Sequence, residues 1–141
     1  MFLNILVAVD GSPSSRRALE QAVDLARLGN SLLTLLTVEP PVAPDVARAG
    51  VSMEAMRGQL EAWSARVLQE AKEAVPNELS VRTVQRLGHA GEEIVAELDR
   101  GGYDLVVLGS RRRGRVVEGL FGSVNGYVHF HSRAAVLSVP A

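Results

Sequence analysis

The sequence predicts an α/β protein built on one five-stranded parallel sheet, doubly wound, with helices on both faces. Two observations predict the architecture and a third its size. Short apolar runs alternate along the chain with segments whose apolar residues recur at helical spacing, and parallel strands need such crossovers. Phe2–Val9 and Leu105–Leu108 are apolar almost without alternation, as strands covered on both faces are. The 141 residues, 47% of them hydrophobic, suit one domain, 1–141, with enough interior for a core.

The elements follow in order. The first strand is expected over Phe2–Val9, and Asp10-Gly11-Ser12-Pro13 breaks it. Ser12 is a good N-cap and Pro13 suits the first helical position. Ala18, Ala22 and Ala26, beside Leu19 and Val23, mark the buried face of a helix ended by Gly29. Leu32–Val38 is the second strand. Glu39–Gly50 holds Pro40, Pro41 and Pro44 and reads as a loop, open to a lid role or to none. Met53, Met56, Leu60, Trp63, Val67 and Ala71 form a helical stripe that is read as core, closed by Pro76. Leu79–Leu87 alternates and reads as a strand nearer an edge. Gly91–Arg100 is a short helix with Ile94, Val95 and Leu98 inward. Leu105–Leu108 is the fourth strand, Gly122–Ser132 the last helix and Ala135–Val139 the last strand.

Composition excludes several classes of function. The net charge of −1 supplies no field for nucleic acid or membrane surfaces. No cysteine is present, which removes disulfides, thiol catalysis and zinc–thiolate sites. No apolar run approaches the ~20 residues of a membrane span. The first residues lack a basic start and a small-residue cleavage pattern. A cytoplasmic location is expected, with no nucleic-acid and no membrane partner. His129 and His131 are two apart on one helix, so they point apart and form no metal pair; His89 reads as a turn residue.

The polar strand ends carry the functional signal. With right-handed crossovers and strand order 3-2-1-4-5, the order reverses between strands one and four. Those strands end at Asp10-Gly11-Ser12 and at Gly109-Ser110-Arg111, so both would face one crevice. The second end continues through Arg111-Arg112-Arg113-Gly114-Arg115 to Phe121-Gly122-Ser123-Val124. Glycine lets backbone approach an anion, a helix start offers unpaired N–H groups, and arginine adds a charged fork of donors. A solvated basic turn is the rival reading. A G-x-x-x-x-G-K-[ST] loop is absent, the sole lysine being Lys72, and the first turn lacks G-x-G-x-x-G.

Ile5-Leu6-Val7-Ala8-Val9-Asp10-Gly11-Ser12, Gly88, Tyr103–Ser110, Gly122-Ser123-Val124 with Tyr127-Val128, and Ala135–Val139 together resemble the universal stress protein family over essentially the whole chain. The resemblance implies a Rossmann-like sheet similar to the adenine nucleotide alpha hydrolases, an ATP-like ligand and a homodimer through the C-terminal strand. ATP-binding members carry G-x2-G-x9-G-[ST]. Gly109 supplies the first glycine and Gly122-Ser123 the end at the right spacing, whereas Arg112 replaces the middle glycine. A guanidinium there either meets the phosphates or obstructs them; the phosphate contact is expected.

The expected ATP site follows from chemistry and position, with the resemblance in support. Backbone groups of Ala8, Val9 and Val38 line the adenine slot, and Leu108 packs on the base. Asp10 accepts from ribose or adenine, or else braces the following helix with Ser12. Gly109, Arg112, Gly122, Ser123 and Val124 surround the phosphates, with Arg111 a weaker member. Mg2+ or Mn2+ would bridge phosphates without a metal site built by the protein. No catalytic residue is assigned. The alternatives are a slow ATPase and a dimeric interaction protein that binds no nucleotide.

Overall fold

The computed structural model describes residues 1–45, 49–50, 52–110 and 124–141. Its elements are β1 (Asn4–Ala8), α1 (Pro13–Gly29), β2 (Leu32–Glu39), α2 (Met53–Glu73), β3 (Val81–Leu87), α3 (Ala90–Gly101), β4 (Leu105–Ser110), α4 (Val124–His131) and β5 (Ala135–Pro140). The five strands form one sheet in the order β3-β2-β1-β4-β5. Every neighbouring pair is parallel, as the alternation of strand and helix predicts.

The strand pleat sorts the core into two layers. Ile5, Val7, Leu33, Leu35 and Val107 face α1 and α2, where they meet Ala18, Ala22, Ala26 and Val67. Leu6, Leu36, Val106 and Leu108 face α3 and α4, where they meet Ile94, Leu98 and Val128. The alanines of α1 are fully buried; their small side chains bring that helix close to the sheet. Ser12 is extended, its side chain accepts from the Ser15 N–H, and Pro13 follows at the helix start, as expected of those residue types.

Several boundaries differ from the sequence reading. β1 starts at Asn4, and Phe2 and Leu3 are exposed. Gly29 is the last residue of α1, and it is Asn30 that takes the left-handed conformation beyond it. A side chain at 29 would press on the Phe2 carbonyl and Ser31 Oγ, each 3.0 Å from the position of its Cβ. The stripe on α2 is core only in its second half. Val67, Leu68 and Ala71 are buried, whereas Met53 is exposed. Leu87, at the end of edge strand β3, is also exposed. The expected helix over Gly122–Ser132 is described from Val124; Gly122 and Ser123 lie outside the described residues.

Candidate functional site

β1 has β2 on one side and β4 on the other. The chain leaves β1 for α1 on one face, while β4 leads toward α4 on the opposite face. The two connections part at the carboxyl ends of the strands and leave a crevice, as doubly wound sheets do where strand order reverses. The cleft there has a volume of about 460 Å³, within the range of small-molecule sites. Leu36, Val38, Ile94 and Leu108 give it an apolar interior, and Ser12, Ser14, Ser15 and Ser110 a polar margin.

The β1 margin is braced by its own neighbours. Gly11 has φ +81°, a conformation that side chains resist, and it turns the chain from strand to helix. The Ser12 N–H donates to Asp10 Oδ1 at 2.9 Å, and the Asp10 N–H donates to Ser15 Oγ at 3.2 Å. The Ser15 N–H returns a bond to Ser12 Oγ at 3.2 Å. Asp10 is exposed at the cleft, so one carboxylate both braces the turn and presents charge. The backbone groups of Val9 are engaged within the protein. Its N–H donates to the Leu36 carbonyl and its carbonyl accepts from Thr37 Oγ1 at 2.7 Å. The N–H of Val9 is thus already paired, and its carbonyl already accepts one bond.

The β4 margin is held from a distance in sequence. A Cβ at Gly109 would lie 2.5 Å from the Ser14 carbonyl carbon and 2.6 Å from the Ser15 nitrogen. These are backbone atoms of the first turn of α1, and they cannot swing aside. Gly109 is thus required where β4 meets α1, whatever ligand its backbone also approaches. Asn125 Nδ2 donates to the Gly109 carbonyl at 2.8 Å and ties α4 to the same strand end.

Behind the cleft, α3 is fastened to β3 by charge. Arg86 reaches Glu93 at 2.8 Å and Glu97 at 2.9 Å. Glu97 is 0% exposed and also accepts from the Tyr103 hydroxyl at 2.8 Å. Glu93 is the main reason that Arg86 is held above the usual arginine pKa; burial opposes this and Glu97 adds to it. A buried carboxylate needs such partners. The network sets the face of α3 from which Ala90 and Ile94 reach the cleft.

Ala8, Val9, Asp10, Val38, Leu108, Gly109 and Val124, seven residues singled out in the sequence, line this one cleft. Arg111, Arg112, Gly122 and Ser123 lie outside the described residues. Sequence reasoning missed Ser14, Ser15, Leu36, Ala90, Ile94 and Asn125 as lining residues. The two serines were legible as helix-start residues, whereas Asn125 carried no signal beyond following Val124. A second hollow of about 360 Å³ lies between α1 and α2. It borrows no strand end beyond Val9, and its margin mixes Arg16 and Arg27 with Glu20, Asp24 and Glu70. Among the described residues, no cluster of three or more His, Asp or Glu side chains suits a metal ion. No described helix is long and apolar enough to cross a membrane.

Comparison with known proteins agrees with this fold. The model of the universal stress protein family matches residues 1–140. Universal stress protein Sll1654 of Synechocystis sp. is 34% identical over 99% of this chain and 87% of its own length. Universal stress protein YxiE of Bacillus subtilis is 31% identical over 99% of both chains. A universal stress protein solved in complex with cAMP superposes with a TM-score of 0.75 at 25% identity, covering 98% of this chain and 97% of its own. A family member from Arabidopsis thaliana with AMP bound gives 0.73 at 22%, covering 98% and 91%. The universal stress protein from Archaeoglobus fulgidus in complex with dAMP gives 0.71 at 20%, covering 97% of each chain.

Proposed function

The chain belongs to the universal stress protein family, and from that premise we propose that it is a cytoplasmic ATP-binding regulatory module with its nucleotide in the β1–β4 cleft. The observation that carries this reading is the convergence of residues chosen for nucleotide chemistry on one cleft at the strand-order reversal. The residues present fit the group. Val38, Ile94 and Leu108 give adenine an aliphatic slot. Asp10 accepts from the adenosine end. Gly109, Ser110 and the start of α4 border the phosphate end, with Arg111, Arg112, Gly122 and Ser123 assigned to it from the sequence. Mg2+ or Mn2+ would travel with the phosphates. Solved relatives with cAMP, AMP and dAMP support an adenine nucleotide as the ligand class.

Calorimetry with ATP and adenosine tests the reading, together with identification of any adenine compound released on denaturation. ATP should bind more tightly than adenosine. Arg112→Ala should weaken ATP far more than adenosine, and the difference should shrink as salt rises. A gain in ATP affinity on Arg112→Gly would show that the arginine obstructs the site. No heat with either ligand and no released nucleotide would leave a family fold without this ligand.

The same reading includes a homodimer. β5 is an edge strand, and Val136 and Leu137 are only half-buried in the single chain. Phe130 on the neighbouring helix is 84% exposed. Edge strands are normally covered, and antiparallel pairing with a second copy would cover this one. Sedimentation should report a dimer at micromolar concentration and a monomer for Val136→Asp. A wild-type monomer would remove the dimer from the proposal.

A further inference from the structure

One hydrogen-bonded chain at the cleft has no part in the reading above. Asn125 is the second residue of α4 and is half-buried. Its Nδ2 donates to the Gly109 carbonyl at 2.8 Å, which decides how the amide faces. Oδ1 is thereby turned to β5, where the Ser138 hydroxyl donates to it. Ser138 Oγ also lies 3.1 Å from His129 Nε2. The hydroxyl hydrogen is committed to Asn125, so Ser138 accepts from the ring, and His129 carries its hydrogen on Nε2. Asn125 and His129 are four apart on one helix face, and together they straddle Ser138. Three bonds thus join the end of β4 to the end of β5 and to the exposed face of α4.

We propose that Asn125 is a positioning residue, oriented by Ser138, that shapes the phosphate end of the cleft. The proposal rests on the nucleotide reading. Two features of this chain argue for it. Asparagine is a weak helix former, and Ser138 interrupts the apolar run of β5. Each is unfavourable alone, and each satisfies the other where both are partly buried. The bond to Gly109 also has a chemical consequence. A backbone carbonyl at the margin of an anion site repels phosphate oxygens. The amide N–H of Asn125 engages that carbonyl and holds the start of α4 beside it. Without Ser138 the amide still prefers to donate to the carbonyl, but it loses the second bond that holds its side chain in that rotamer.

Ser138 does not line the cleft, so its substitution separates positioning from contact. Calorimetry on Ser138→Ala should show AMP weakened roughly three- to tenfold, the worth of one hydrogen bond, with adenosine changed less than about twofold. Asn125→Leu should show the same selectivity, and the double variant should be no worse than Asn125→Leu. Ser138→Thr keeps the hydroxyl and should keep AMP affinity, which guards against general damage to the fold. In nucleotide-free protein, nitrogen NMR should find His129 in its Nε2–H form, and Ser138→Ala should shift that signal. Additive losses, equal losses for AMP and adenosine, or unchanged AMP affinity would overturn the positioning role alone. An unmoved His129 signal would overturn the chain of bonds. A wild type that binds none of ATP, AMP and adenosine and releases no nucleotide on denaturation would overturn the nucleotide reading and this role with it.

Discussion

The two strand ends that border the cleft are built in opposite ways. At the end of β1, Asp10, Ser12 and Ser15 bond to one another within six residues. At the end of β4, Gly109 touches the backbone of Ser14 and Ser15 and accepts from Asn125. The first margin is a local turn that carries its own bracing. The second is a junction of three elements, each brought from elsewhere in the chain. A local brace loses one weak bond when a member is removed. A junction loses its fit, because several backbones must shift together.

The largest effect is therefore expected at the junction. Gly109→Ala puts a methyl group 2.5 Å from the Ser14 carbonyl carbon, and overpacking of this kind costs about 3 kcal/mol. Urea unfolding should show it as a lower midpoint with an unchanged slope. An unchanged midpoint would mean that α1 yields and that the contrast between the two ends is false.

Ser12→Ala should cost about 1 kcal/mol, the usual worth of an N-cap, since the Ser15 N–H loses its partner at 3.2 Å. The same unfolding measurement reads it, and a loss as large as that of Gly109→Ala would make the β1 end a junction too.

Asp10→Ala should have the smallest effect on stability, a few tenths of a kcal/mol, because the carboxylate is exposed and Ser12 still caps α1. Its effect should appear in binding instead. ATP and adenosine should weaken alike, by about 0.5–1.5 kcal/mol for one hydrogen bond. Loss confined to ATP would move Asp10 to the phosphate end, and no loss would leave it as a brace alone.

The same division governs what could be read from the residues. Asp10-Gly11-Ser12-Pro13 announces a strand end, a turn and a helix start, and each is found there. Gly109 was legible as a strand-end glycine, but the sequence pointed to anion approach and not to the contact with α1 that demands it. Glu97, not singled out in the sequence, is wholly buried against Arg86 and Tyr103. Nothing in the helix's own pattern reveals an arginine on a neighbouring strand.

Local chemistry and periodicity thus determined the element order, the alternation that calls for a parallel sheet, and the polar strand ends, whereas the strand order 3-2-1-4-5 was taken from the doubly wound class and is found in the structure. The first three follow from dihedral preference, capping and the period of apolar residues, all of which act over a few positions. Only the tertiary structure decided that Gly109 is a packing glycine, that Val9 is already paired, that the first half of the α2 stripe stays outside the core, and that Asn125 reaches Ser138. Each depends on atoms far apart in the chain, whose approach is set by how helices settle on the sheet. No local pattern encodes that distance.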